Sequence, residues 1–257
     1  MINKNLISNY KKTGFIIIKD FFNKKNITKT KKKILLNTKK KTNKLFFYEP
    51  DIKKIRRIEN ICEFSDDAKK LIHNKNLKKI IYQILGHNTL FKDKLNFKYP
   101  KARGFEPHID GHFFWKNENN KIKRGWKEYS DKFLNVVIPL ENTNKINGCL
   151  QIAKKNETFQ ILGTKWNDIT KKTYRFTPKI KKKFIKKFNF VNVELKIGDI
   201  LIFDWRICHR SKKNLSKNSR MIFYATFAKN KKKINLKKIY YQDKINSKNS
   251  IKNKSLN

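Results

Sequence analysis

Five histidines occur in the 257-residue chain, and His108 and His209 have neighbours that suggest chemistry. His108-Ile109-Asp110 follows Pro107 at the end of an extended segment. In a strand, residues i and i+2 project to the same side, so imidazole and carboxylate converge. His209 ends the run Gly198-Asp199-Ile200-Leu201-Ile202-Phe203-Asp204-Trp205-Arg206-Ile207-Cys208-His209. A period of two places it with Leu201, Phe203, Trp205 and Ile207, an apolar and inward face, at the mouth of a barrel. Two imidazoles and one carboxylate on one side of a metal, other positions open, form the donor set of non-haem Fe(II) oxygenases. Arg220, eleven residues after His209, opens the apolar run Met221–Phe227. An inward guanidinium is costly unless it meets a carboxylate. Its planar fork suits the distal end of a small diacid, and Ser211 adds a hydroxyl donor. Each residue also has a plainer reading: a surface pair for His108-x-Asp110, a satisfied rim residue for His209, an ion pair with one of the few acids for Arg220.

The elements that must position these residues divide the chain in two. Residues 1–13 read as a short helix, and Gly14-Phe15-Ile16-Ile17-Ile18 as a buried strand. Asn26–Asn43 reads as a Lys-rich surface helix, and Asp66–Leu85 as one or two helices stopped by Gly86. From Leu90 the pattern changes to short strands: Leu90–Tyr99, Phe133–Leu140, Cys149–Ala153, Asn189–Leu195, Ile200–Trp205 and Met221–Phe227. That succession indicates a barrel or sandwich. Thr164–Lys187 is basic and irregular, as in a lid or insertion, and 247–257 reads as a flexible basic tail. The expected organisation is one domain over 1–246, helical to about 89, with the β-core at about 90–230.

Composition narrows the classes. Lys and Arg total 64 against 20 acids, a formal charge of +44. Only eight of the 64 are Arg, and Lys is spread along the whole chain. A phosphate or base-edge reader favours Arg, so a codon bias explains the charge and no specific nucleic-acid partner is expected. Aromatics at 13%, including 20 Phe, argue for a folded chain. No apolar run reaches membrane-spanning length and no apolar leader opens the chain. Cys62, Cys149 and Cys208 form neither a disulfide framework nor a CxxC site, which fits a cytoplasmic location.

The same residues resemble a known family, the phytanoyl-CoA dioxygenase-like branch of the Fe(II)/2-oxoglutarate oxygenases, over roughly residues 10–245. Tyr10–Ile18 is similar to its opening strand, and Leu90–Trp115 to its strand leading into His-x-Asp. Pro139-Leu140-Glu141-Asn142 through Asn147-Gly148-Cys149-Leu150 is similar to its central turn. Gly198-Asp199 through His209-Arg210-Ser211, then Asn214 and Arg220, resembles its last block. The resemblance implies a mainly β fold with flanking helices, a double-stranded β-helix (jelly-roll, cupin-like) core. It implies iron on His108, Asp110 and His209, and 2-oxoglutarate as co-substrate clamped by Arg220 and Ser211, with O2 as oxidant. Asp110 stands where halogenating members lack a carboxylate, which favours hydroxylation. Phe203-Asp204, His209-Arg210-Ser211 and Tyr240-Tyr241-Gln242-Asp243-Lys244 look most like members that hydroxylate small polar compounds such as aminoethylphosphonates. Three departures stand out: Ala153-Lys154-Lys155-Asn156 in the entry loop, Val137 in place of a central-strand aromatic, and His112 as a second histidine on the face of His108 and Asp110.

Strand parity puts Lys92, Lys94, Asn96 and Lys98 on one face. Lys94, Asn96 and, on the central strand, Asn135 are expected to contact 2-oxoglutarate or a small, polar or anionic substrate; a solvated face is the alternative for the lysines. Cys208 is expected in the core. Competing functions are a nucleic-acid dealkylase using the same metal chemistry and a non-redox metal-binding β-barrel.

Overall fold

A computed structural model describes residues 4–39, 45–49, 54–162 and 180–247. Most of the expected lid and all of the tail beyond Ser247 lie outside these ranges.

Long runs of branched and aromatic residues build the centre. Strands β8 (Phe133–Pro139), β11 (Ile200–Asp204) and β13 (Arg220–Lys229) are buried along most of their length, and β4 (Asn88–Lys98) at about half its positions. Residues of this kind gain most when both strand faces are covered. The four strands join β1 (Phe15–Ile18), β2 (Phe46–Tyr48) and β3 (Ile55–Glu59) in one sheet, in the order β1-β11-β8-β13-β4-β3-β2. A second sheet has the order β10-β9-β12-β5, with β5 (Phe105–His108), β9 (Leu150–Ile152), β10 (Val191–Val193) and β12 (His209–Ser211). A small hairpin, β6 (Trp115–Lys116) with β7 (Ile122–Lys123), stands apart. Every pairing is antiparallel.

The two large sheets pack face to face. Val137, Leu201, Phe203 and Ile222 of the first meet Leu150, Ile152 and Val193 of the second. Burial of this apolar face is the main force closing the roll. The outer face of the seven-stranded sheet, with Val136, Ile138, Ile202 and Phe223, packs with Ile27, Ile34, Leu71, Leu77 and Ile81. These come from α2 (Lys24–Lys39), α3 (Asp66–Ile72) and α4 (Lys75–Leu85). Ser65 caps α3 by accepting from Ala68 N, and Gly86 ends α4 at φ 71°. Short helices α1 (Lys4–Thr13), α5 (Lys155–Leu162) and α6 (Lys182–Ile185) lie elsewhere on the surface. The last helix, α7 (Leu236–Asn246), seals one end with Tyr240 and Tyr241 packed against Phe91, Phe133 and Trp205.

Two expectations change. The first 89 residues are not simply a helical part, because β1, β2 and β3 from this segment complete the large sheet. Nor is Ile200–His209 one strand. β11 ends at Asp204, whose carboxylate accepts from Arg206 N and Nε, while Ile207 N donates to Asp204 O. That turn carries the chain from the large sheet to the small one, so Trp205 and Cys208 enter two different apolar clusters.

Candidate metal centre and co-substrate pocket

β12 lies between β5 and β9, and its register sets His209 directly across from His108. Their rings are 4.2 Å apart, centroid to centroid. β5 ends at His108, so Asp110 is placed by the following turn rather than by strand parity. Gly111 makes that turn at φ 71°, and a Cβ there would stand 2.6 Å from the Trp126 ring. The turn brings Asp110 Oδ1 to 3.9 Å from His108 Nε2 and Oδ2 to 3.7 Å from His209 Nε2. One ligand atom from each residue lies within 4.8 Å of the others, and among the described residues no other such group of three occurs.

Each imidazole is pinned from behind. His108 Nδ1 faces Glu106 O at 2.7 Å and His209 Nδ1 faces Ile207 O at 3.0 Å. Donation to these carbonyls fixes the proton on Nδ1 and turns the Nε2 lone pairs toward Asp110. Burial, then His209, lowers the His108 pKa to about 4, so the ring is neutral and able to ligate near pH 7. For Asp110, burial acts to raise the pKa, but His209, Lys94 and His108 outweigh it and the carboxyl stays ionised.

Asn135 has a different place from the one expected. Its Nδ2 donates to Asp110 Oδ2 at 2.8 Å, and its Oδ1 accepts from Thr226 Oγ1 at 2.7 Å. It orients the Asp110 carboxylate. His112 does not share a strand face with the ligands. Beyond the Gly111 turn it stacks on Trp205 at 4.9 Å, with Nδ1 3.1 Å from Asp110 O. Cys208 is in the core, as expected. Lys155, in the departing loop, starts α5 and donates to Lys11 O.

Arg220 sits opposite Lys98 in the β13–β4 register and is 2% exposed. Its Nε and Nη1 have no hydrogen-bond partner. A buried guanidinium left unmatched is expensive, and the group that matches it is a carboxylate. Burial lowers its pKa only from a very high value, so it keeps its charge. Ser211 Oγ accepts from Lys98 Nζ at 2.8 Å and from Phe105 N at 3.2 Å, which leaves its own proton to donate. Lys98 also donates to Lys212 O at 2.7 Å and Gly148 O at 3.3 Å. Burial first, then Arg220, brings its pKa down to about 6.

Lys98 and Thr226 were not assigned roles from the sequence. The available signal for Lys98 was its shared face with Lys94 and Asn96; its pairing with Arg220 needed the register. Asn96 is buried with Oδ1 unpartnered, and Lys94 lies over the Tyr224 ring at 5.0 Å. Both face the interior, next to Ile222 and Tyr224 of β13.

Residues 10–222 match the family model described as phytanoyl-CoA dioxygenase. The chain belongs to that family. Within the phytanoyl-CoA dioxygenase family, one curated relative is a 2-aminoethylphosphonate dioxygenase of an uncultured bacterium (HF130_AEPn_1), 25% identical over 66% of this chain and 58% of its own. Another is the dioxygenase lolE1 of Epichloe uncinata, 19% identical over 73% of this chain and 64% of its own. The matched segments thus span less than two thirds of either relative. Among solved structures, EctD from S. alaskensis with 2-oxoglutarate and 5-hydroxyectoine superposes with a TM-score of 0.68, at 19% identity over 88% of this chain and 76% of EctD. That likeness establishes the jelly-roll fold expected from the sequence. No described helix is long and apolar enough to cross a membrane.

Proposed function

We propose that this protein is an Fe(II)- and 2-oxoglutarate-dependent dioxygenase that hydroxylates a small organic metabolite. The overall reaction takes a substrate C–H, O2 and 2-oxoglutarate to C–OH, succinate and CO2. The observation that carries this reading is a link between two features: Ser211, two residues after His209, accepts from Lys98, which pairs in register with Arg220. A His-Asp-His donor set lies within 4.8 Å, and the facing sheet carries a buried guanidinium whose Nε and Nη1 have no hydrogen-bond partner.

His108, Asp110 and His209 would hold the iron, which would supply the activation of O2. Asn135, fixed by Thr226, keeps the Asp110 carboxylate turned toward the two imidazoles. Arg220 and Ser211 take the distal carboxylate of 2-oxoglutarate, and Lys98 holds Ser211 in place. Val137, Leu150, Phe203 and Ile222 line the space between the sheets with apolar groups, and a low-dielectric lining of this kind strengthens each polar contact beside it.

The relatives' names support a small polar substrate: one acts on 2-aminoethylphosphonate, and the EctD structure holds 5-hydroxyectoine. A nucleic-acid dealkylase and a specific nucleic-acid partner have no support beyond net charge. A cytoplasmic location fits the three free, buried cysteines. The test is succinate release with Fe(II) and 2-oxoglutarate across a panel of small metabolites, with alkylated oligonucleotides as a second arm. Coupled turnover with a small metabolite, lost in His108→Ala, supports the reading. Turnover with oligonucleotides only, or with nothing despite bound iron, removes the small-metabolite assignment.

A further inference from the structure

The inner face of the large sheet carries an unusual row of cations, and all but one have a partner or a stated ligand. Glu59, Lys94, Tyr224 and Val137 stand side by side across β3, β4, β13 and β8. Residues paired in register share a face, and Val137 belongs to the cluster between the sheets. Lys94 therefore projects into the roll.

The surrounding charges are accounted for. Glu59, fully buried, takes Lys244 at 2.7 Å, Lys92 at 3.0 Å and Arg57 at 3.1 Å. Lys98 lies among Ser211 and two backbone carbonyls, and burial, then Arg220, lowers its pKa to about 6, so it adds no charge near pH 7. Asp110 faces His108, His209 and Asn135. Lys94 has the Tyr224 ring beneath its ammonium, and among the described residues no carboxylate comes within ion-pair distance of it. Filling the site does not change this. A divalent ion, the Asp110 carboxylate, the two carboxylates of 2-oxoglutarate and the Arg220 guanidinium cancel one another. The Lys94 ammonium remains as surplus charge on the inner face of the sheet, and such a charge calls for an anion.

We propose that Lys94 selects the substrate: it receives an oxyanion, of the carboxylate or phosphonate kind, carried by the small molecule to be hydroxylated. This rests on the reading of the pocket as an oxygenase site and adds to it a substrate class and the residue that sets it. Tyr224 supports the ammonium with its ring face on the inner side of the sheet.

The test uses the full chain loaded with Fe(II) and 2-oxoglutarate without oxygen, as wild type, Lys94→Met and Lys94→Arg. Calorimetry measures binding of four probes of similar size: butyrate, propylphosphonate, butyramide and butylamine. One anionic probe or both should bind wild type about tenfold more tightly than butyramide, the gain of one charge-assisted contact. Lys94→Met should lose that preference and Lys94→Arg should keep much of it. Preference for a neutral or cationic probe, no binding of either anion, or an anion preference unchanged in Lys94→Met would overturn the assignment. The visible charge-transfer band of iron-bound 2-oxoglutarate separates the two layers. If wild type lacks the band, the oxygenase reading fails and takes this one with it. If the band is present in wild type but lost in Lys94→Met, Lys94 serves the co-substrate and the substrate assignment fails alone.

Discussion

The Asn135 amide donates to Asp110 Oδ2 at 2.8 Å, tying this carboxylate, which sits on a turn, to the middle of the large sheet. Thr226 on the adjacent strand locks that amide. Positioning of this kind is worth about 10- to 100-fold in metal affinity in other sites. Asn135→Ala should weaken Fe(II) or Mn(II) binding by about that factor, and Thr226→Val by less, because it loosens the amide without removing it. Metal titration of each variant measures both effects. An Asn135→Ala protein with wild-type metal affinity would assign the bond to packing alone.

Arg220 offers two unmatched N–H groups from a buried position. Arg220→Ala should raise the KM for 2-oxoglutarate roughly 10- to 150-fold, the equivalent of a charge-assisted contact of about 1.5–3 kcal/mol. Metal affinity should stay near wild type. Arg220→Lys should recover little, since a point charge cannot reproduce the fork. Steady-state kinetics against 2-oxoglutarate, together with metal titration, checks the separation.

Lys98 makes stability depend on pH. Burial and Arg220 hold its amine at about 6 in the fold, against about 10.4 in an unfolded chain. Between those values the unfolded state binds a proton that the folded state does not, so this residue makes stability rise with pH. In Lys98→Met the contribution is gone. The Tm of wild type, relative to Lys98→Met, should climb steadily from pH 6 to pH 10. A constant difference across that range would mean that the amine stays charged inside the fold.

Glu59 is the counter-ion for three buried or half-buried cations, one of them Lys244 on the C-terminal helix α7. Removing a single acid that neutralises several cations is costly, about 3–5 kcal/mol for a buried pair. Glu59→Gln should lose stability on that scale in chemical denaturation, and α7 should become more sensitive to protease. The compensating pair Glu59→Gln with Lys244→Met should recover part of the loss.

Much of the site is local in sequence, and this is why it was legible. His108-x-Asp110 and His209-x-Ser211 are short motifs, and Arg220 opens an apolar run; types and order alone point to a facial triad with a diacid clamp. The strands β8, β11 and β13 announce themselves as apolar runs, β4 by its alternation of polar and apolar residues, and the helix stop at Gly86 by its residue type. What failed was parity carried through a turn. The row from Leu201 to His209 looked continuous because its apolar alternation survives the Asp204–Ile207 turn, while the backbone there changes sheets.

The sequence by itself determined which side chains are the candidates for the chemistry, because donor type and order along the chain are covalent facts. Tertiary structure decided their company. Cross-strand register set His209 against His108, Arg220 against Lys98 and Lys94 against Tyr224. Register is fixed by burial of whole sheet faces and by turn geometry, which no short stretch of sequence contains. For the same reason, the roles of Asn135, Thr226 and Lys98 became visible only once distant strands lay side by side.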